Sequence, residues 1–148
     1  MATSPIGDFK IVELMDSSAA CHRLCEWAGG VPAFCALSLR DRVTLIHHCW
    51  GELILADMAF RSSFESLCVW PDGRMTREEA ESYGVGDLFH SILTLLTERM
   101  QEASVDRMEL GALRLIILFN GEVPGLENPR LVEENRQRFY GGLSDYCR

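Results

Sequence analysis

The sequence predicts an all-α fold with one short β-hairpin. Glycine- and proline-rich breaks separate segments of helical periodicity, and only one segment carries the turn residues of a hairpin. Of the 148 residues, 47% are hydrophobic and 24% are charged, which is typical of a folded globular chain. A chain of this length buries enough surface for a single core, so we expect one domain over residues 11–148 after a tail at 1–10.

Two helices are predicted in the first part of the chain. The first covers residues 11–28 and has a run of small residues in its middle. The second begins after Ser38, which forms a variant capping box with Asp41, and continues to Ser62. Apolar residues occupy several of its faces, so we expect this helix to run through the centre of the fold.

A hairpin and an amphipathic helix are predicted next. The sequence Pro-Asp-Gly at 71–73 presets a turn and predicts a hairpin over residues 67–75. Thr76 and Glu79 have the spacing of a capping box that begins a short helix. From residue 85 to residue 100, apolar side chains follow the spacing of one helical face.

Capping residues also mark the last two predicted helices. Asp106 and Glu109 repeat the capping pattern before the apolar segment 110–119, and Asn128-Pro129 provides an N-cap and a first-turn proline for the last helix. Because no C-cap residue follows, we expect that helix to be still running at residue 148 and the chain to be cut off there.

Charge, leader and cysteine content limit the classes of function. The chain has 14 Lys and Arg against 22 Asp and Glu, a net charge of −8, which excludes a nucleic-acid surface built on bulk positive charge. Neither a secretory leader nor an apolar run of membrane-spanning length is present in the sequence. The six cysteines contain no C-x-x-C pair, so we predict reduced core thiols of an intracellular protein.

Neither a metal site nor an active site is predicted. His47 and His48 form the densest histidine cluster, but adjacent helical residues point about 100° apart and do not close one site. The motifs of hydrolases, phosphate-binding loops and zinc proteases are absent from the sequence. An all-α enzyme using Cys–His chemistry is a remote alternative, and it would need a thiol of lowered pKa in an open cleft.

Arg61 is the candidate ligand anchor. It stands where the long apolar helix ends and the hairpin begins, so its guanidinium could face an apolar cavity and bind a carboxylate through two parallel hydrogen bonds. The alternative is an ordinary surface arginine or one paired with a glutamate.

The chain resembles the ligand-binding domains of nuclear receptors. The resemblance lies in residues 27–37 and in Leu39, Asp41, Val43 and Leu45 that follow. Residues 50–53, 60–62, 84–86 and 109–120 are similar to the retinoid X receptor and ultraspiracle branch, and the similarity covers residues 11–148. It implies an antiparallel α-helical sandwich in three layers with a hairpin, here C-terminally incomplete because the chain stops before the family's dimer-interface and activation helices.

The resemblance also implies a set of ligand-binding residues. Arg61 would hold the carboxylate of a lipophilic ligand, such as a retinoid or a fatty acid. The apolar wall would consist of Ala20, Trp50, Ile54, Met58, Val85, Leu88 and Phe89. Helical spacing by itself would assign these residues to plain core packing. Trp70 stands on the hairpin where the family has a small residue, and its indole could fill part of the pocket.

A groove for a coregulator helix is implied at Cys25, Gly29, Leu39, Val43 and His47. The family has a lysine where this chain has Gly29, and the second basic position is His47, which is only partly charged near neutral pH. We therefore expect weakened coregulator binding.

The resemblance predicts the ligand-binding module of a ligand-regulated transcription factor that works in the nucleus with a receptor heterodimer partner. No enzyme activity and no cofactor are expected in this domain, and neither nucleic acid nor a membrane is an expected contact of this segment. The alternative is a ligand-independent heterodimer scaffold, or a degenerate truncated paralogue with a filled pocket.

Overall fold

The computed structural model describes residues 17–62, 66–69 and 73–148. The predicted all-α fold with one hairpin is confirmed within them. In chain order the elements are α1 (Ser17–Gly29), α2 (Pro32–Cys35), α3 (Leu39–Arg61), β1 (Ser66–Val69), β2 (Gly73–Thr76), α4 (Arg77–Ser82), α5 (Gly86–Ile92), a π-helical turn (Leu93–Thr97), α6 (Glu98–Glu102), α7 (Arg107–Leu118) and α8 (Pro129–Tyr146).

The described residues divide into two compact units. The helix-pair unit contains residues 23–53 and 106–148, with α7 packed on α8. The hairpin unit contains the described residues of 17–22 and 54–105. Helix α3 contributes its first part to the helix-pair unit and its last two turns to the hairpin unit.

Aromatic and aliphatic side chains form the core of the helix-pair unit. Phe119 is fully buried, and its ring meets Phe34 with centroids 6.3 Å apart and Phe139 with centroids 4.9 Å apart, both edge to face. Leu45, Cys49 and other apolar residues of α3 complete this cluster. Edge-to-face pairs of this kind add to the burial energy of the rings.

The beginning of α3 is fixed by the N-cap that the sequence predicts. The Asp41 N–H donates to Oγ of Ser38 at 3.2 Å, and Oγ of Ser38 donates to a carboxylate oxygen of Glu127 at 2.7 Å. The Asp41 carboxylate, however, does not complete a capping box. It accepts the backbone N–H groups of Glu127 and Asn128 and so holds the segment before α8.

The hairpin and its capping box are confirmed in the hairpin unit. The strands pair antiparallel from Ser66 opposite Thr76 to Val69 opposite Gly73, while the predicted turn residues 70–72 lie outside the described residues. Thr76 and Glu79 form both hydrogen bonds of the box that begins α4. The hairpin therefore continues directly into a capped helix.

The amphipathic helix predicted from residue 85 is interrupted by a π-helical turn. Val85, Phe89, Ile92 and Leu93 are buried, as the spacing predicts, and Leu96 is half-buried. Leu93–Thr97 then form the wider turn, which places Thr97 in the core and Leu95 in solvent. Apolar spacing does not distinguish π from α geometry over five residues.

Three other expectations need correction or lie outside the described residues. The last helix ends at Tyr146, with Cys147 as its C-cap, so it is not still running at residue 148. Leu39 and Val43 at the beginning of α3 are 68% and 59% exposed, so only the later turns of that helix run through a core. The predicted helical residues 11–16 lie outside the described residues, and the first described helix begins at Ser17.

The four cysteines whose side chains are described form no disulfide, and most of them are not the predicted core thiols. Cys49 is buried, whereas Cys25, Cys35 and Cys147 are exposed. The side chains of Cys21 and Cys68 lie outside the description. Cysteine is often buried as a small apolar residue, but whether a given cysteine faces solvent depends on the packing of its element.

Candidate functional site

The end of α3 is held by side chains from three other positions of the hairpin unit. Oγ of Ser62 donates to the Met58 carbonyl at 2.6 Å, and Oγ1 of Thr97 donates to the Ala59 carbonyl at 2.8 Å. Nη2 of Arg74 donates to the Arg61 carbonyl at 3.2 Å. Because the last carbonyls of a helix have no partner within the helix, these donors satisfy them and fix the backbone that carries Arg61.

Arg61 lies beside an acid on the same helix. Its Nε is 3.6 Å from Oδ2 of Asp57, one turn earlier, and the two side chains are 32% and 15% exposed. An arginine and an aspartate four residues apart stand on one helical face and attract each other. The acid beside Arg61 is therefore an aspartate and not the expected glutamate, and its i, i+4 spacing is visible in the sequence.

Most of the predicted apolar wall lies in the hairpin unit and is buried. Ile54, Met58, Val85 and Phe89 are buried, and Leu88 is half-buried. The Arg77 guanidinium stands 5.4 Å from the centre of the Phe89 ring, so one face of that ring is already covered by a cation. Protein side chains cover these positions. Such burial is expected both for ordinary core packing and for the wall of a closed apolar pocket.

Three other predicted ligand-site residues are not among these described side chains of the hairpin unit. Trp50 belongs to the helix-pair unit, where it is half-buried against the core cluster around Phe119. Ala20 is part of α1, but its side chain lies outside the description, and Trp70 lies outside the described residues altogether.

The predicted groove residues are all exposed and all belong to the helix-pair unit. Leu39, Val43 and His47 follow one another at four-residue steps along α3, so they share a face of that helix. Asp41 and Leu45 point into the protein, at 1% and 0% exposure, which leaves the Leu39–Val43–His47 face toward solvent. Two large apolar side chains on one helical face are a suitable surface for a partner helix.

Helix α1 ends at Gly29, the position that is a lysine in the family described above. Gly29 is the last residue of α1, and Cys25 precedes it by one turn, on the same face. The thiol of Cys35 donates to the Gly29 carbonyl at 3.2 Å, and a Cβ built on Gly29 would meet no atom within 4 Å. The open space beside Gly29 would accommodate a side chain.

Two hydrogen bonds join the beginning of α7 to the end of α8. The Tyr146 hydroxyl donates to Oδ2 of Asp106 at 2.5 Å, and the Cys147 thiol donates to a carboxylate oxygen of Glu109 at 3.0 Å. The hydrogen bond from Tyr146 lowers the pKa of Asp106, and the same bond raises the pKa of Tyr146. The carboxylate of Glu109 raises the pKa of the Cys147 thiol through the hydrogen bond it accepts.

Cys49 is the buried thiol of the helix-pair unit. Burial, together with the charge of Glu52, raises its pKa to about 11, and its sulfur lies 4.0 Å from the Leu118 carbonyl. The thiol is therefore almost entirely protonated at neutral pH and a poor nucleophile.

Within the part of the chain that the structure describes, no three His, Cys, Asp or Glu side chains come together as metal ligands. Among the same residues, none of the helices combines the length and the apolar composition needed to cross a bilayer. Residues 9–148 match the family model described as the ligand-binding domain of nuclear hormone receptor.

Proposed function

The chain belongs to the nuclear hormone receptor ligand-binding domain family, and on that basis we propose that it is the ligand-responsive module of a nuclear transcription factor of the retinoid X receptor and ultraspiracle type. A receptor heterodimer partner and a coregulator helix are its proposed protein partners. The proposal includes neither catalysis nor a contact of this segment with DNA or a membrane.

The proposed ligand is a lipophilic carboxylate, of the size of a retinoid or a fatty acid, whose head group binds Arg61. The observation that carries this proposal is the position of Arg61 at the end of α3, about one turn beyond the buried Met58 and two turns beyond the buried Ile54. An apolar face that ends at a guanidinium matches the two parts of such a ligand, its chain and its head group. The Arg74 guanidinium donates to the Arg61 carbonyl and so fixes the backbone from which the Arg61 side chain extends.

Native mass spectrometry and thermal shift test this proposal. The purified protein is measured alone, with 9-cis-retinoic acid and with a fatty acid, and so are the Arg61→Ala and Arg130→Ala variants. Arg130 is the matched control, because it is an exposed arginine of α8 in the other unit. We expect a lipid adduct and thermal stabilisation in the wild type and in Arg130→Ala, and a roughly 10- to 100-fold weaker affinity in Arg61→Ala. Equal affinities in all three proteins would contradict the anchoring role.

A ligand-independent heterodimer scaffold is the second candidate. Two observations favour it: Asp57 already stands beside Arg61, and the buried side chains of Ile54, Met58, Val85 and Phe89 are covered by protein. The same measurement separates the two candidates. A protein without any lipid adduct and without any shift, which still binds a receptor partner, would be the scaffold.

We propose the exposed face of Leu39, Val43 and His47, together with Cys25 and Gly29, as the surface for the coregulator helix. Two large apolar side chains on this face are open to solvent, which supports an apolar partner. His47 is the only basic side chain among these five residues, so this surface offers a partner helix at most one charged contact.

A further inference from the structure

Asp57 lies one turn before Arg61 on the same helical face, so it is well placed to affect what Arg61 binds. Its Oδ2 lies 3.6 Å from Nε of Arg61 and is buried, and this oxygen accepts no hydrogen bond from the residues that the structure describes. Both side chains are largely shielded from water, at 15% and 32% exposure. Water and salt therefore screen their attraction less than they would screen a surface ion pair.

The charge balance at this pair differs from that of a lone arginine. Asp57 and Arg61 carry opposite unit charges, so a ligand carboxylate bound to Arg61 would bring a second negative charge next to Asp57 at a largely shielded site. The guanidinium has five N–H donors and can hold two acceptors, so the competition comes from charge rather than from a lack of donors. Like charges that share one cation disfavour each other strongly when water is excluded.

A neutral head group would meet no such penalty. A ligand hydroxyl can accept a hydrogen bond from the Arg61 guanidinium and donate one to Oδ2 of Asp57, which lacks a donor among the described residues. A donor for this oxygen is favourable, because a buried carboxylate oxygen without a hydrogen bond carries an uncompensated desolvation penalty.

We propose that Asp57 is a specificity-determining residue of the ligand site, an internal counterion of Arg61 that lowers the affinity for carboxylate head groups relative to neutral, hydroxyl-bearing ones. This inference rests on the proposed binding of a lipophilic ligand at Arg61 and names the residue that sets its head-group preference. Arg61 provides the hydrogen bonds, and Asp57 decides how much a negative charge is tolerated there.

The test compares two lipids that differ only in the head group, oleic acid and oleyl alcohol. Their affinities are measured by titration of tryptophan fluorescence for the wild type, Asp57→Asn and Asp57→Ser. Removal of the Asp57 charge is expected to raise the affinity for oleic acid, relative to oleyl alcohol, roughly 10- to 100-fold. Two different replacements guard against a local distortion caused by one of them, and a thermal melt of each variant verifies that it is folded.

Glu52→Gln is the matched control, since it removes one negative charge from an exposed position on the same helix. It is expected to leave the ratio of the two affinities unchanged. In the Arg61→Ala background the effect of Asp57→Asn on the ratio should disappear, because the two residues act through one contact.

Each outcome has a defined meaning. If oleic acid binding depends on Arg61 but the ratio is the same in the wild type and both Asp57 variants, the role of Asp57 is wrong while the proposed ligand site stands. If neither lipid binds any of the proteins, the proposed ligand site is wrong and the role of Asp57 falls with it. A ratio that changes in Glu52→Gln as much as in Asp57→Asn would also overturn the inference, because net charge would then explain it.

Discussion

The backbone N–H of Glu127 donates to Oδ1 of Asp41 at 2.7 Å, across 86 positions of the sequence. Oδ2 of the same carboxylate accepts the N–H of Asn128 at 3.0 Å. Asp41 is 1% exposed, so this carboxylate has exchanged water for two backbone donors. The contact fixes the segment before α8 against the first turn of α3, the turn that also presents Leu39 and Val43 to solvent.

Replacement of Asp41 by asparagine should destabilise the protein strongly. Asparagine keeps one acceptor oxygen but directs an NH2 group toward a backbone N–H, so one buried donor loses its partner. We expect the free energy of unfolding to fall by about 1.5–3 kcal/mol, the range for hydrogen bonds to a charged group, measured by urea denaturation. Asp145→Asn, at an exposed ion pair with Arg148, is the control and should change it by less than about 0.5 kcal/mol.

The hydrogen bond between Tyr146 and Asp106 should stabilise the protein at intermediate pH and lose its effect in strong acid and in strong base. The pKa of Asp106 is lowered from 3.8 in the folded protein. Its contribution to the free energy of unfolding is therefore fully present above pH 3.8, and it is lost as the pH falls through the lowered pKa. The pKa of Tyr146 is raised from 10.0 in the folded protein. Its contribution to the free energy of unfolding is therefore fully present below pH 10.0, and it is lost as the pH rises through the raised pKa.

The melting temperature of the wild type and of Tyr146→Phe, followed from pH 3 to pH 11, tests this prediction. The variant lacks the hydroxyl that donates to Asp106, so its melting temperature should be lower than that of the wild type between the two limits and approach it at each end. Tyr140→Phe, at another exposed tyrosine of α8, is the control. Parallel curves for the wild type and Tyr146→Phe across the whole range would refute the contact.

The cysteines should react with iodoacetamide in a defined order. Cys49 is buried and its pKa is raised to about 11, so it should be unlabelled in the native protein and labelled in urea. Cys147 is exposed, but its pKa is raised by its hydrogen bond to Glu109, so it should react more slowly than the exposed Cys25. Peptide mapping after timed labelling at pH 7.5 measures the order, and labelling of Cys49 as fast as Cys25 would contradict the buried position.

A lysine introduced at Gly29 should strengthen binding of a coregulator helix. The space beside Gly29 is open, and the substitution restores the basic residue that the resembling family has at this position. A lysine next to the carbonyl end of a bound helix is favourable, so we expect roughly fivefold tighter binding of an amphipathic peptide with leucines at i, i+3 and i+4, measured by fluorescence anisotropy.

Val43→Arg tests the same surface in the opposite direction. The side chain is 59% exposed, so the charge should abolish peptide binding without lowering the melting temperature appreciably. Leu95→Arg is the control, because Leu95 is 62% exposed but belongs to the hairpin unit. If Leu95→Arg weakened peptide binding and Val43→Arg did not, the proposed surface would be wrong.

Local signals in the sequence predicted most elements correctly. The capping pairs Thr76–Glu79 and Asp106–Glu109 form both of their predicted hydrogen bonds, and α8 begins at Pro129 after the Asn128 cap. Such motifs involve residues three positions apart, so their energies depend little on the rest of the fold. The π-helical turn at Leu93–Thr97 was missed because its apolar side chains have ordinary helical spacing.

The ligand site stays a prediction. Arg61 was chosen from its place at the end of an apolar helix, and the i, i+4 spacing also indicates Asp57 as its neighbour. Trp50, predicted as part of the ligand wall, packs against the core cluster of the helix-pair unit. Helix α3 is apolar on several faces. The element that each of its large apolar side chains packs against depends on the tertiary structure, and the periodicity of the sequence does not identify that element.

The sequence by itself determined the helices, their caps, the hairpin and the resemblance to the family, because each depends on residues close together in the chain or on a pattern of residue types. The tertiary structure alone decided that Asp41 holds the residues before α8, that Thr97 reaches the Ala59 carbonyl, and that Cys25, Cys35 and Cys147 face solvent while Cys49 does not. These features join residues far apart in the sequence or depend on which face of an element is covered, and both follow from how the elements pack.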